Sequence, residues 1–368
     1  TDDKNRVWLG YYNNGIDVYN ENYNKFKSLR SISGYSNSLS SSSVTGVIKD
    51  DNDRLWISTT ESGIDVYNTK TREFTNLINK KNKIANGLDK LETTSIYKDS
   101  KGNILIGTWE SGFYILKKNS IRFKNIKKAN SKLKSDKVMS FAEDSNGTIW
   151  IGTFFGGLYS YNTYNNKVTH YDSSEFVEYN INTSNIRKVI VDSKDNIWVG
   201  TRAGLYRINK NEKDIFKITP FNKRFKTILG ENISSTIVYS LFEDELDNIW
   251  IGSLDYGLFK YDYIDDKISW FNNGNGFIHE SVSSITQDQN GHFWISGNKG
   301  LTKYDPNKNL FTNFNKDDGL SSNRFNYNSV FRDNELLYFG GLNGVNYFNP
   351  DKIKYNEELP LVYLKDLK

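Results

Sequence analysis

The chain has 368 residues, 37% hydrophobic, 25% charged and 15% aromatic, which excludes a disordered tail and supplies ample apolar area for a large core. Its 48 Lys and Arg against 44 Asp and Glu leave a net charge of only +4, spread along the whole length, which argues against an electrostatic nucleic-acid binder. No apolar run reaches the roughly 18–20 residues of a membrane-spanning helix, and the absence of cysteine excludes disulfides, thiolate metal sites and cysteine nucleophiles.

A repeat organises the chain from end to end. It begins with the truncated copy Arg6-Val7-Trp8-Leu9-Gly10; Thr1 starts mid-repeat, so further sequence is expected upstream. Full copies follow at Asp50–Thr59 (DDNDRLWIST), Asp99–Thr108 (DSKGNILIGT), Asp144–Thr153 (DSNGTIWIGT), Asp192–Thr201 (DSKDNIWVGT), Asp244–Ser253 (DELDNIWIGS) and Asp288–Gly297 (DQNGHFWISG). The last, Asp333–Gly341, is one residue shorter before its aromatic, Tyr338. The anchors Trp8, Trp56, Leu105, Trp150, Trp198, Trp250, Trp294 and Tyr338 are 44 to 52 residues apart.

Each unit reads as four short strands, as in Val138–Ala142, the Trp150 strand, Gly157–Tyr161 and Lys167–Tyr171. Turn residues separate them: the recurring Asp caps its own turn, and Asn or Gly supplies the positive φ. No helical period intervenes, so the protein is all-β. Ile149-Trp150-Ile151 is apolar on both faces, so its sheet must be covered on both sides. A β-propeller of four-stranded blades provides that cover, each blade packing between two neighbours. Small residues recur at Gly152 and its equivalents, and at Gly46, Ser95, Ser140, Ser240, Ser284 and Ser329 on the innermost strands, where a central channel leaves little room. Eight units are present, but the first lacks an inner strand and the last an outer one. The expectation is therefore seven to eight blades over residues 1–350, closed by an eighth blade or by a strand from outside this chain. Residues 351–368 read as a polar linker followed by one further strand at Leu361–Leu364.

These units resemble the two-component regulator propeller repeats found in the extracytoplasmic sensor regions of bacterial hybrid two-component systems and related receptors. The likeness covers roughly residues 5–349 and includes the closing stretch Asp318–Phe325, Tyr338–Gly341 and Gly344–Pro350. It implies a ligand-sensing module at a periplasmic or cell-surface location, membrane-tethered in the full-length protein. A histidine kinase or diguanylate cyclase would supply the output. It also implies a neighbouring propeller, a following immunoglobulin-like domain that the strand at Leu361 would begin, and a homodimer as one arrangement. Ligands of the family are typically oligosaccharides; no cofactor is implied.

In a propeller, the loop between second and third strands shares a face with the loop leading into each first strand. On that face the sequence places Tyr11, Tyr12, Glu61, Trp109, Glu110, Phe154, Phe155, Arg202, Asp255 and Tyr256. Aromatic rings beside carboxylates and an Arg suit a sugar, whose C–H face stacks on a ring while its hydroxyls bond to polar groups; the bland alternative is that the rings pack on adjacent loops. Lys188, with Arg187 beside it, interrupts the small-residue column and could hold an anion or simply reach solvent. His170 on an outer strand and His292 in a turn read as exposed and inert. His279 with Glu280 is the one plausible acid–base pair, in a ligand-face loop. No metal-ligand spacing, phosphate loop or nucleophilic triad appears. A ligand sensor, a propeller lyase or glycosidase, and a protein-docking scaffold all remain open on residues alone, because propellers host all three.

Overall fold

The structure, a computed structural model, describes residues 6–12, 15–19, 25–78, 84, 87–88, 91–172, 176, 178–179, 181, 185–210, 216–230 and 236–355. It is a seven-bladed propeller of four-stranded antiparallel sheets, each in meander order. The innermost strands of blades one to seven are Val44–Lys49, Thr93–Lys98, Val138–Glu143, Ile186–Val191, Val238–Glu243, Val282–Gln287 and Phe325–Asp333. The second strands, which carry the repeated aromatic, run from Arg54–Thr59 in blade one to Leu336–Gly341 in blade seven.

The repeat residues explain the blade. In blade three Ile149, Trp150 and Ile151 are all buried. Trp150 fills the space toward blade four, packing with Ile186, Val189 and Tyr206. Ile149 and Ile151 face blade two, with Leu105, Phe113 and Ile115. The turn before the Trp strand is tied by the recurring carboxylate: Asp144 Oδ1 accepts from the Asn146 and Thr148 amides, and Oδ2 accepts from the Trp150 indole at 3.0 Å. The same indole–carboxylate bond recurs at Asp50–Trp56, Asp192–Trp198, Asp244–Trp250 and Asp288–Trp294, between 2.7 and 2.8 Å. Positive φ in these turns falls on Gly102, Gly147 and Gly291, on Asn334 in blade seven, and also on Asp53, Asp195 and Asp247. Gly152 is small because the next blade presses on it: a Cβ there would lie 2.5 Å from Ile186 Cγ2.

Ring closure differs from the expectation. Lys27–Leu29 pairs antiparallel with Gly344–Phe348, placing Ser28 opposite Asn346, and so completes blade seven from within the chain. Phe26 anchors this closure, buried edge-on against Phe314 and Phe348. The Trp8 copy is not a blade. Among the described residues its strand, Val7–Tyr11, pairs only with Gly15–Tyr19 in a two-stranded sheet, and Trp8 is 50% exposed where every other anchor is buried. After Phe348 a short 3-10 turn, Pro350–Lys352, leads to Ile353, which packs on blade seven. The strand expected at Leu361–Leu364 lies outside the described residues.

Candidate functional site: the mouth of the axial channel

All seven inner strands break register near their start, between Val44 and Gly46 in blade one and at equivalent places in the others. Such a bulge gives the inner strand an extra residue and re-aims its side chain. The re-aimed residues Thr45, Thr94, Met139, Arg187 and Tyr239 line one cavity of about 210 Å³. Blade seven adds Asn326, Tyr327 and Asn328 from a longer irregularity spanning Phe325 to Val330, with Asn328 at a φ of 59°. Because six blades contribute, the cavity lies on the propeller axis, at the end where the inner strands begin. Two contacts cross it: Asn328 Nδ2 donates to the Arg187 carbonyl at 3.4 Å, and Tyr239 stacks on Tyr327 at 4.0 Å.

The loops between second and third strands form the rim. In the five repeats that end in Thr or Ser, that hydroxyl closes its own loop, as Thr108 Oγ1 does to the Gly112 carbonyl and Thr153 Oγ1 to that of Gly157. The next amide then reaches the segment entering the inner strand: Trp109 N to Glu92 O, Phe154 N to Lys137 O, Arg202 N to Asn185 O. This pins the loop residue beside the channel. Trp109 lines the cavity and packs against Phe154 with ring centroids 5.0 Å apart. The Lys137 amine lies 4.5 Å from the Trp109 ring, and the Arg187 guanidinium lies 4.8 Å from Phe154 and 5.1 Å from Tyr239. Burial raises the Tyr239 hydroxyl above its ordinary pKa, with Arg187 and Arg202 pulling it down and Tyr327 and Asp255 adding to the rise. It therefore stays a neutral hydrogen-bonding group at physiological pH.

The residues singled out from sequence do not form one ring. Trp109 lines the mouth and Phe154 packs on it; Arg202 and Asp255 are close enough to act on Tyr239. Glu61, Glu110 and Phe155 are exposed on the rim, Phe155 edge-on to Phe154. Tyr256 is half-buried against the hydrophobic cluster of blade five. Tyr11 and Tyr12 belong to the separate hairpin, away from the equivalent loop positions expected of them. The pairing of His279 with Glu280 as acid and base is corrected. His279 is 1% exposed, with Nε2 2.9 Å from Thr302 Oγ1, and burial depresses its pKa to about 3. Glu280 is exposed and faces Lys299 at 3.8 Å. Neither His170 nor His292 is exposed: His170 Nε2 is 3.1 Å from the Gly156 carbonyl, and His292 lies between Asp288 and Asp305.

Arg187, Tyr239, Tyr327 and Asn328 were not singled out as mouth residues. A signal was nonetheless present. Between the first residue of the inner strand, apolar except for Thr93, and the third, small except for Lys188, the second varies freely: Thr45, Thr94, Met139, Arg187, Tyr239, Ser283. A position that changes identity while its neighbours hold is free of the blade's packing rules.

The comparisons agree with the fold. The family model described as two component regulator propeller matches residues 38–61, 132–155 and 276–299. Three segments of the chain therefore match the two-component regulator propeller repeat, as the sequence resemblance implies. The chain is 32% identical over 231 residues, 62% of its length, to Histidine kinase P4 of Formosa agariphila, of which it spans 16%. It matches the extracellular domain of BT3049 from B. thetaiotaomicron, described as a hybrid two component system, at a TM-score of 0.76 and 24% identity, covering 95% of this chain and 44% of that one. Virginiamycin B lyase from Staphylococcus aureus shares the fold at a TM-score of 0.66 and 13% identity, over 88% of this chain and 98% of that one. Among the described residues, no helix is long and apolar enough to cross a membrane.

Proposed function

We propose that this propeller is a non-catalytic sensor module from the extracytoplasmic part of a bacterial signalling receptor, and that it recognises an oligosaccharide at the channel mouth. The observation that carries the reading is the mouth itself, where Trp109, Tyr239 and Tyr327 offer ring faces and edges around a few oriented polar groups, Arg187, Asn326 and Asn328. That mixture matches a sugar's apolar C–H faces and hydroxyl rim. Extracellular domains of two-component systems among the similar structures support the location, and the kinase relative supports a histidine kinase, or a cyclase, as the output of the full-length protein. Burial of His279 leaves a lyase or glycosidase without the acid–base pair it would use here. A ligand acts through the receptor only if it binds one receptor state better than the other.

The test is to titrate the purified protein against a glycan panel by calorimetry while following reducing and unsaturated ends in the same samples. Saturable binding at micromolar to millimolar affinity, without product, is the expected result. Turnover, or a protein partner that binds where no glycan does, would overturn the reading.

A further inference from the structure

Below the mouth the axial channel opens into two chambers of about 600 and 390 Å³. Lys188 and Asn328 line both, and Asn328 also lines the mouth, so the three spaces meet at one residue. Lys188 stands opposite Gly200 in blade four, where the neighbouring blades place Ser140 and Ser240. No packing rule of the blade calls for a lysine there.

The other charged groups around it each have a hydrogen-bond or ion-pair partner. In the larger chamber Asp333 and Asp53 both pair with Lys49, at 2.8 and 3.1 Å, and Asp51 pairs with Lys98 at 2.6 Å. Asp50 is held by Arg54 and the Trp56 indole. In the smaller chamber Glu243 accepts the Ser193 amide, and Arg332 faces Glu245. Among the described residues the Lys188 amine has neither a carboxylate nor a hydrogen-bond acceptor. A cation withdrawn from water is costly unless paired; Lys188 is half-buried, and none of the described residues pairs with it.

We propose that the lower channel is an oxyanion-binding site in which Lys188 supplies the charge and Asn328 a hydrogen-bond donor, taking a carboxylate, sulfate or phosphate group. Desolvation brings the Lys188 pKa down to about 8, so the amine is still mostly protonated at neutral pH and available to an anion. The site stands apart from the oligosaccharide reading of the mouth. The occupant is either a free inorganic anion or the acidic group of a sugar.

Calorimetry with sodium sulfate, glucuronate and neutral glucose at pH 6.5 and low ionic strength tests it, using the wild type, Lys188→Met, Lys188→Arg and Tyr12→Ala. Expected are one saturable site for an anion, at least tenfold weaker binding in Lys188→Met, retention in Lys188→Arg, and no change in Tyr12→Ala, whose side chain is 99% exposed. Sulfate and glucuronate both binding identifies a free-anion site; glucuronate alone identifies an acidic sugar. Thermal melts confirm that Lys188→Met is folded, and a 15N-lysine NMR shift of the Lys188 amine on adding anion reads the contact without any variant. No saturable anion binding, equal binding by Lys188→Met, or glucose matching glucuronate would each overturn the proposal.

Discussion

Trp150→Ala should lower the unfolding free energy by about 3–5 kcal/mol, the range for deleting a large buried aromatic from a core that relaxes only partly. Trp150 is 3% exposed, stacks on Tyr171 with centroids 5.0 Å apart, and meets Phe216 edge-on across the gap between blades three and four. Its indole N–H also satisfies Asp144, so truncation removes a hydrogen bond as well as area. Tyr12→Ala is the control: that side chain is 99% exposed, and the change should fall within about 0.5 kcal/mol. Urea midpoints of the two variants decide the matter. A Trp150→Ala loss no larger than that of Tyr12→Ala would contradict the inter-blade packing.

Asp192→Ala should cost about 3 kcal/mol or more, because it orphans several buried donors at once and each unsatisfied donor costs about 1–3 kcal/mol. Oδ1 accepts from the Lys194 and Asn196 amides, and Oδ2 accepts from the Trp198 indole at 2.8 Å and the Tyr263 hydroxyl at 2.9 Å. The Asn196 side chain donates to both oxygens. Asp144 plays the same part in blade three with fewer partners and more solvent, so Asp144→Ala should cost less. Thermal melts of the pair give the order. Equal losses would mean that the carboxylate matters for its turn alone and not for the buried indole and phenol.

The propeller was legible because its cause is local and repeated. An apolar-both-sides Trp strand, a turn Asp six residues earlier and a small residue two later recur with enough regularity to dictate a blade. Closure was not legible from the repeat period, since Lys27–Leu29 pairs with Gly344–Phe348, more than 300 residues away. A hint existed: Phe26-Lys27-Ser28-Leu29 aligns with the fourth strand of the next unit, Phe74-Thr75-Asn76-Leu77, yet the Trp8 hairpin does not use it. His279 was misplaced for a related reason. Loop position implied exposure, but its ring nests against Gly297, where an added Cβ would come within 2.6 Å of Nδ1. Among the channel residues Lys188 was legible as the break in the small-residue column, but the residues of the mouth were hidden by phase. Strict alternation along Ile186-Arg187-Lys188 cannot show that a bulge turns Arg187 to the mouth while Lys188 lines the chambers below.

Trp109 and Tyr12 were equivalent by sequence and are not equivalent in space, which makes them the sharpest pair for the account's central claim that ligand binds at the channel mouth. The decisive measurement is the calorimetric Kd of a bound glycan for Trp109→Ala and Tyr12→Ala beside the wild type. Loss of one stacking ring with its buried area is worth about 1.4 kcal/mol or more, so Trp109→Ala should weaken binding at least tenfold, and Tyr12→Ala should leave it unchanged. A glycan whose affinity survives Trp109→Ala but falls with Tyr12→Ala would place its site on the hairpin and contradict the account.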